Sequence, residues 1–122
     1  MRGIFWRTVA LSLTIRHVKK ENKQRGQKLV VAIHQYFKNI SRTRYWIRLN
    51  YYAPTDGYNF FFEQARPRTL SRSQPIGDFP NTSFDDLLEI LIVLRQTYHF
   101  TIITANLTKE QNIQLRKHGV LW

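Results

Sequence analysis

The chain of 122 residues contains no cysteine and no apolar stretch of membrane-spanning length. The first absence excludes a disulfide framework, a thiolate zinc site and a cysteine nucleophile. The second argues against a membrane helix, which needs about 18 or more consecutive apolar residues. We expect a single domain over residues 1–122 and no membrane partner. We also expect a cytoplasmic location, and the lack of cysteine is compatible with that reducing compartment.

Motifs that hold cofactors or metals are also missing. The five glycines are scattered and form no phosphate-binding loop, and there is no H-E-x-x-H or His/Cys zinc spacing. Asp85, Asp86 and Glu89 cluster, but they stand at a predicted helix start, where capping and the helix dipole explain them. The sequence therefore predicts no cofactor and no metal site.

Acidic residues are scarce in the first part of the chain. Residues 1–72 hold 15 Lys and Arg against three acids, whereas residues 73–122 hold four against five. Ten of the 17 aromatic residues fall between Tyr36 and Phe62. A positive surface that carries flat rings suits a polyanion with stackable bases. We therefore expect a non-enzymatic protein that binds nucleic acid, with single-stranded RNA or DNA preferred over a duplex.

Hydrophobic periodicity predicts four strands and three helices. The strands are expected at residues 8–17, 45–52, 58–64 and 100–105, and the helices at 27–40, at 84–98 and, behind a Thr108–Gln111 capping box, at about 109–118. This order predicts an α+β, ferredoxin-like β-α-β-β-α-β fold, in which an antiparallel sheet carries the helices on one face and a short C-terminal helix follows.

Two segments have no predicted secondary structure. Residues 19–28 are basic and polar, and Gly26 disfavours a helix there. Residues 66–82 contain three prolines and three arginines, which indicates a long Arg/Ser/Pro loop.

The turn Pro54–Gly57 predicts a hairpin in which Ala53 faces Tyr58. That pairing places Leu49 opposite Phe62 on the core side. It leaves Trp46, Arg48 and Tyr52 on the other, open face of the sheet.

The candidate nucleic-acid contacts are the rings and cations of this open face, of the basic stretch and of the Arg-rich loop. They are Arg16, Lys19, Lys20, Lys23, Arg42, Arg44, Trp46, Arg48, Tyr52, Arg66, Arg68 and Arg72.

Two other functions remain open. Metal-independent RNA cleavage needs only a general base such as His17 or His34, a general acid and cations near the phosphate. In outline the chain is similar to ferredoxin-like RNA-processing endonucleases, although it lacks their glycine-rich loop near the C-terminus. The third possibility is a structural subunit of a nucleoprotein complex, or a homodimer, with protein contacts through Ile90 and Ile92 in the C-terminal half.

Overall fold

A computed structural model describes residues 18–122 of the chain. The predicted strand at residues 8–17, including Arg16 and His17, lies outside these described residues. The described elements, in chain order, are α1 (Lys20–Tyr36), β1 (Arg44–Tyr52), a 3-10 turn (Ala53–Thr55), β2 (Gly57–Ala65), β3 (Arg72–Phe79), α2 (Phe84–Arg95), β4 (Thr101–Ala105) and α3 (Lys109–Lys117).

The four described strands form one mixed sheet in the order β3-β2-β1-β4. β2 pairs antiparallel with both β1 and β3, but β4 runs parallel to β1. The α+β class is confirmed, whereas the fully antiparallel ferredoxin-like sheet is wrong for the described part of the chain. The difference arises because β3 follows β2 as a second hairpin, so that β4 pairs with the other side of β1.

β3 occupies part of the segment that was predicted to be a loop. Pro75 and Gly77 are residues typical of turns, so the sequence pattern does not indicate a strand here. In the structure the pairing of β3 with β2 accommodates them through a bulge between Phe60 and Phe61. Packing explains the glycine at position 77, because a Cβ atom there would lie only 2.7 Å from Leu29 Cδ2 of α1. The loop that remains between β2 and β3 covers only residues 66–71.

The hairpin of β1 and β2 defines the two faces of the sheet. Ile47 pairs with Phe62 and Leu49 with Phe60, and all four side chains are buried. The predicted partners were wrong by two residues, because Tyr52 and Gly57 close the turn and Asp56 takes a left-handed φ of 48°. A shift of two preserves the faces, so the prediction of which residues point inward is confirmed.

α1 begins at Lys20, seven residues before the predicted start. Gly26 was expected to disfavour a helix, but it lies inside α1 in close contact with α2. A Cβ atom at Gly26 would lie 2.6 Å from Val93 Cβ and 3.1 Å from the Ile90 carbonyl oxygen. The glycine therefore allows two helix backbones to approach, at a cost in helix propensity of about 1 kcal/mol.

α2 is the most buried helix of the described chain. Ser83 caps it, since its Oγ accepts the Asp86 N–H (3.1 Å), as predicted. Ile90 and Ile92 are 0% and 2% exposed and belong to the core. The prediction that these two side chains face a protein partner is therefore wrong. The capping box of Thr108 with Gln111 at the start of α3 is confirmed.

The three described helices begin at the same end of the sheet. α3 begins there because β4 runs parallel to β1 and ends at Ala105, four residues before Lys109. The Asn81 N–H donates to the Thr55 carbonyl (2.9 Å), so α2 starts beside the β1–β2 turn. Asn22 Nδ2 donates to Asp86 Oδ1 (2.9 Å), so α1 starts there too. We call this end of the sheet the turn end. At the opposite end of the sheet β1, β3 and β4 begin and β2 ends. We call it the arginine end, after Arg42, Arg44, Arg66, Arg68 and Arg72.

Gly26→Ala should destabilise the protein by about 1–3 kcal/mol, because the new methyl group overlaps Val93 in a packed core. Helix propensity alone predicts the opposite sign, a gain of about 1 kcal/mol. Gln24→Ala, at an exposed position of the same helix, is the control and should change stability little. Urea unfolding of the three proteins decides, and a Gly26→Ala variant more stable than the parent would contradict the close packing.

Candidate nucleic-acid interface

Most acidic side chains lie at one end of the sheet. Seven of the eight acids lie at the turn end, where the helices start and β3 finishes; they are Glu21, Asp56, Asp78, Asp85, Asp86, Glu89 and Glu110. The eighth, Glu63, lies on the open face of the sheet. Glu63 stands opposite Trp46, two residues from the arginine-end terminus of β2, and its ion pair is with Arg48, so it compensates only part of the positive potential at the arginine end.

Five arginines converge at that end from three separate segments. Arg44 pairs with Ala65, which immediately precedes Arg66, and Arg72 pairs with Gln64. Arg42 and Arg68 occupy the adjoining turns. Within residues 18–122, ion pairs within 4 Å form between Lys19 and Asp86 and between Arg48 and Glu63, and none involves these five guanidinium groups. They are thus available to an anion from outside.

Three neighbouring clefts follow this end of the sheet, and consecutive clefts share an arginine. The first, of about 280 Å³, is lined by Arg44, Tyr45, Trp46, Thr101 and Ile103. The second, also about 280 Å³, is lined by Arg42, Arg44, Ala65, Arg66 and Pro67. The third, of about 420 Å³, is lined by Gln64, Arg66, Thr69, Leu70, Ser71 and Arg72. Arg44 thus lines both the first and the second cleft, and Arg66 lines both the second and the third.

Two of the arginines have an unusual backbone conformation. Arg42 and Arg68 have φ angles of 59° and 65°, in the left-handed region that favours glycine. Arg68 follows Pro67 in a turn closed by the Thr69 N–H, which donates to the Arg66 carbonyl (3.2 Å), and a type II turn normally has glycine at this position. Such strain costs about 1–3 kcal/mol and is concentrated at functional sites.

Trp46 is held on the open face by Glu63. The indole Nε1–H donates to Glu63 Oε1 (2.7 Å), and Arg48 Nε donates to the same oxygen (2.9 Å). The shared acceptor fixes the edge of the ring, while Trp46 also lines the first cleft beside Arg44. The Glu63 carboxylate also neutralises Arg48, so this arginine contributes less to the positive potential than the five at the arginine end.

The remaining predicted contacts lie at the turn end. Lys19 Nζ contacts Asp86 Oδ1 (3.2 Å), and this hydrogen bond raises the pKa of Lys19. The pKa of Asp86 is lowered, chiefly by its hydrogen bond from Asn22. Lys20 and Lys23 lie on the first turns of α1, about 20–24 Å along the helix from its arginine-end terminus. Tyr52, 42% exposed, is about 20 Å along β1 from Trp46.

The predicted contacts therefore divide into two groups. The structure brings Arg42, Arg44, Trp46, Arg66 and Arg72 together around the three clefts, with Arg68 in the adjoining turn and Arg48 beside Trp46. It places Lys19, Lys20, Lys23 and Tyr52 elsewhere. Thr101 and Ile103, which line the first cleft, were missed because only the parallel pairing of β4 with β1 brings them next to Trp46.

A buried arginine at the same end has a different role. Arg95 Nε donates to the Val120 carbonyl (2.8 Å) and Nη1 donates to the Phe100 carbonyl (2.6 Å), while its guanidinium carbon lies 3.8 Å from the Trp122 ring centre. Burial lowers the pKa of Arg95 to about 10. Arg95 is therefore held by two backbone carbonyls and by the Trp122 ring. These contacts stabilise the fold, so we do not count Arg95 as part of the candidate interface.

Comparison of the chain with protein-family models, with curated proteins and with solved structures finds no match. Among residues 18–122, no helix is both long and apolar enough to cross a membrane. The same residues contain no group of three or more His, Asp or Glu side chains arranged to hold a metal ion.

The hydrogen bond from Trp46 to Glu63 can be measured by a double-mutant cycle. Trp46→Phe and Glu63→Ala should each destabilise the protein, with a coupling energy of about 1–2 kcal/mol, because the acceptor is charged and mostly buried. Tyr52→Phe, on the same strand and face, should be additive with Glu63→Ala in urea unfolding. Additivity in the Trp46 cycle as well would show that Glu63 does not hold the ring.

Arg68→Gly should leave stability unchanged or raise it by about 1 kcal/mol, because glycine accepts the left-handed φ without strain. Arg72→Gly, which removes the same charge from the start of β3, should instead cost about 0.5–1 kcal/mol. Thermal or urea unfolding of the pair measures the difference. If Arg68→Gly is the less stable variant, the left-handed conformation of Arg68 is not strained.

Proposed function

We propose that this protein binds single-stranded RNA or DNA across the arginine end. The proposal depends on one observation above all. Four arginines that form no ion pair within residues 18–122 line three neighbouring clefts, a fifth, Arg68, stands in the adjoining turn, and the Trp46 ring is fixed beside the first cleft.

The arginines supply the affinity for the phosphate backbone. A guanidinium group can donate two parallel hydrogen bonds to a phosphate, and each phosphate neutralised releases condensed counterions. Shared lining residues set the arginines in a series rather than in one pocket. A series of cations suits an extended polyanion better than a single small phosphate ligand.

The first cleft supplies a surface for a base. Its lining combines the Trp46 ring with the apolar side chain of Ile103, 43% exposed, and with the Arg44 guanidinium. Bases stack on aromatic rings and on guanidinium planes. The cleft is open, so an unpaired base can enter it, whereas a base inside a duplex presents only its edge.

The alternatives have less support. The basic residues of α1 form a second positive region, but acids surround its N-terminus and Lys19 is already paired with Asp86. His34, His99 and His118 are exposed and form no side-chain hydrogen bond within the described residues, so nothing in this part of the chain favours RNA cleavage. A role as a subunit of a nucleoprotein complex and a cytoplasmic location stay predictions.

The experiment compares two double variants that remove the same charge at different places. If all five arginines contact phosphates, the slope of log affinity against log salt for the parent should be about −3.5. Arg44→Ala/Arg66→Ala should make it shallower by about 1.4, while the matched control Lys20→Ala/Lys23→Ala should leave it near the parent value. The measurement is fluorescence anisotropy of a labelled single-stranded oligonucleotide at several salt concentrations.

Equal losses in the two double variants would show that net charge alone drives binding, and a larger loss in the lysine variant would place the site on α1. No binding at low salt would remove the proposed function.

A further inference from the structure

Leu70 is the most exposed large hydrophobic side chain of the described residues. It is 92% exposed, compared with 68% for Val31 and 58% for Trp122. It stands in the short loop that joins β2 to β3, after Arg66 and Arg68 and before Arg72. A single exposed leucine needs no explanation by itself, but this one stands among three cations of the candidate interface.

The loop holds Leu70 in a defined place. The Arg66 carbonyl accepts hydrogen bonds from the Thr69 N–H (3.2 Å) and the Thr69 Oγ1 (3.1 Å). Leu70 follows this turn directly and lines the third cleft with Arg66 and Arg72. The leucine therefore follows a hydrogen-bonded turn in the β2–β3 loop, and its side chain is exposed.

We propose that Leu70 is a wedge that enters between two adjacent bases of the bound nucleic acid. The inference assumes the proposed function and adds to it a mode of binding. The arginines that precede and follow Leu70 hold neighbouring phosphates, which brings the base step between them against the leucine. Insertion removes the leucine from water and unstacks one step, a combination that proteins use when they distort nucleic acids.

An anionic membrane surface would also attract arginines beside an exposed leucine, but the apolar contact is too small for that role. Even a whole myristoyl chain gives only marginal membrane binding, and one leucine buries far fewer methylene groups. A base step needs only one inserted side chain, so the observations favour nucleic acid.

The test uses short oligodeoxyadenylates that each carry one 2-aminopurine at a different position. Stacking quenches this base, so the parent should increase its fluorescence at one or two adjacent positions. Leu70→Ala should lose the increase while affinity, read by anisotropy in the same titration, changes by less than about tenfold, because leucine burial and base unstacking have opposite signs. Leu70→Met should keep the increase, and Val31→Ala, at an exposed apolar position of α1, should behave like the parent.

The outcomes separate this inference from the proposed function. A normal anisotropy change without any increase in fluorescence, or an increase that persists in Leu70→Ala, overturns the wedge alone. No anisotropy change with any oligonucleotide overturns both. Binding of the parent to phosphatidylserine vesicles that is lost in Leu70→Ala, together with unchanged 2-aminopurine fluorescence, would assign the leucine to a membrane surface and overturn the wedge.

Discussion

The pairing of β1 with β2 is the constraint on which both the core and the candidate interface depend. It places Ile47 and Leu49 against two phenylalanines on the buried face, and because side chains alternate along a strand, Trp46 and Arg48 must take the other face. A slip of one residue would bury the Arg48 guanidinium and expose Ile47, so the cost of desolvating a charge protects this register. The same register sets Arg44 beside the end of β2, where the arginine-lined clefts lie.

Helix direction explains why most of the acids lie at the turn end. Three helices start at the turn end, and carboxylates such as Asp85, Asp86 and Glu110 are favourable near helix N-termini. The five arginines stand at strand ends and in turns, so the helix dipoles do not account for them. Two of them hold their backbones in the left-handed region. Stability alone would favour glycine or asparagine there, so these two strained arginines support the proposal that their guanidinium groups bind an anion.

Local signals in the sequence were sufficient for much of the fold and for part of the site. Alternation located β1 and β2 and their inward faces, and side-chain caps located the starts of α2 and α3. β3 and the first turns of α1 were missed, because Pro75, Gly77 and Gly26 disfavour the elements they occupy and are explained only by a bulge and by close packing. The arginines were recognised as candidates from composition. Their convergence, the separation of the lysines and the contribution of β4 depend on long-range pairing, which no local pattern encodes.

The central claim is that nucleic acid contacts one end of the sheet and not the basic surface as a whole. Backbone amide chemical-shift mapping with a short single-stranded oligonucleotide at low salt tests it most directly. The largest shifts should fall in residues 42–46, 64–72 and 101–103, which line the three clefts. The turn end, at residues 53–57 and 80–83, should stay unchanged. Shifts that centre on the first turns of α1, or that spread evenly over every basic residue, would contradict the account.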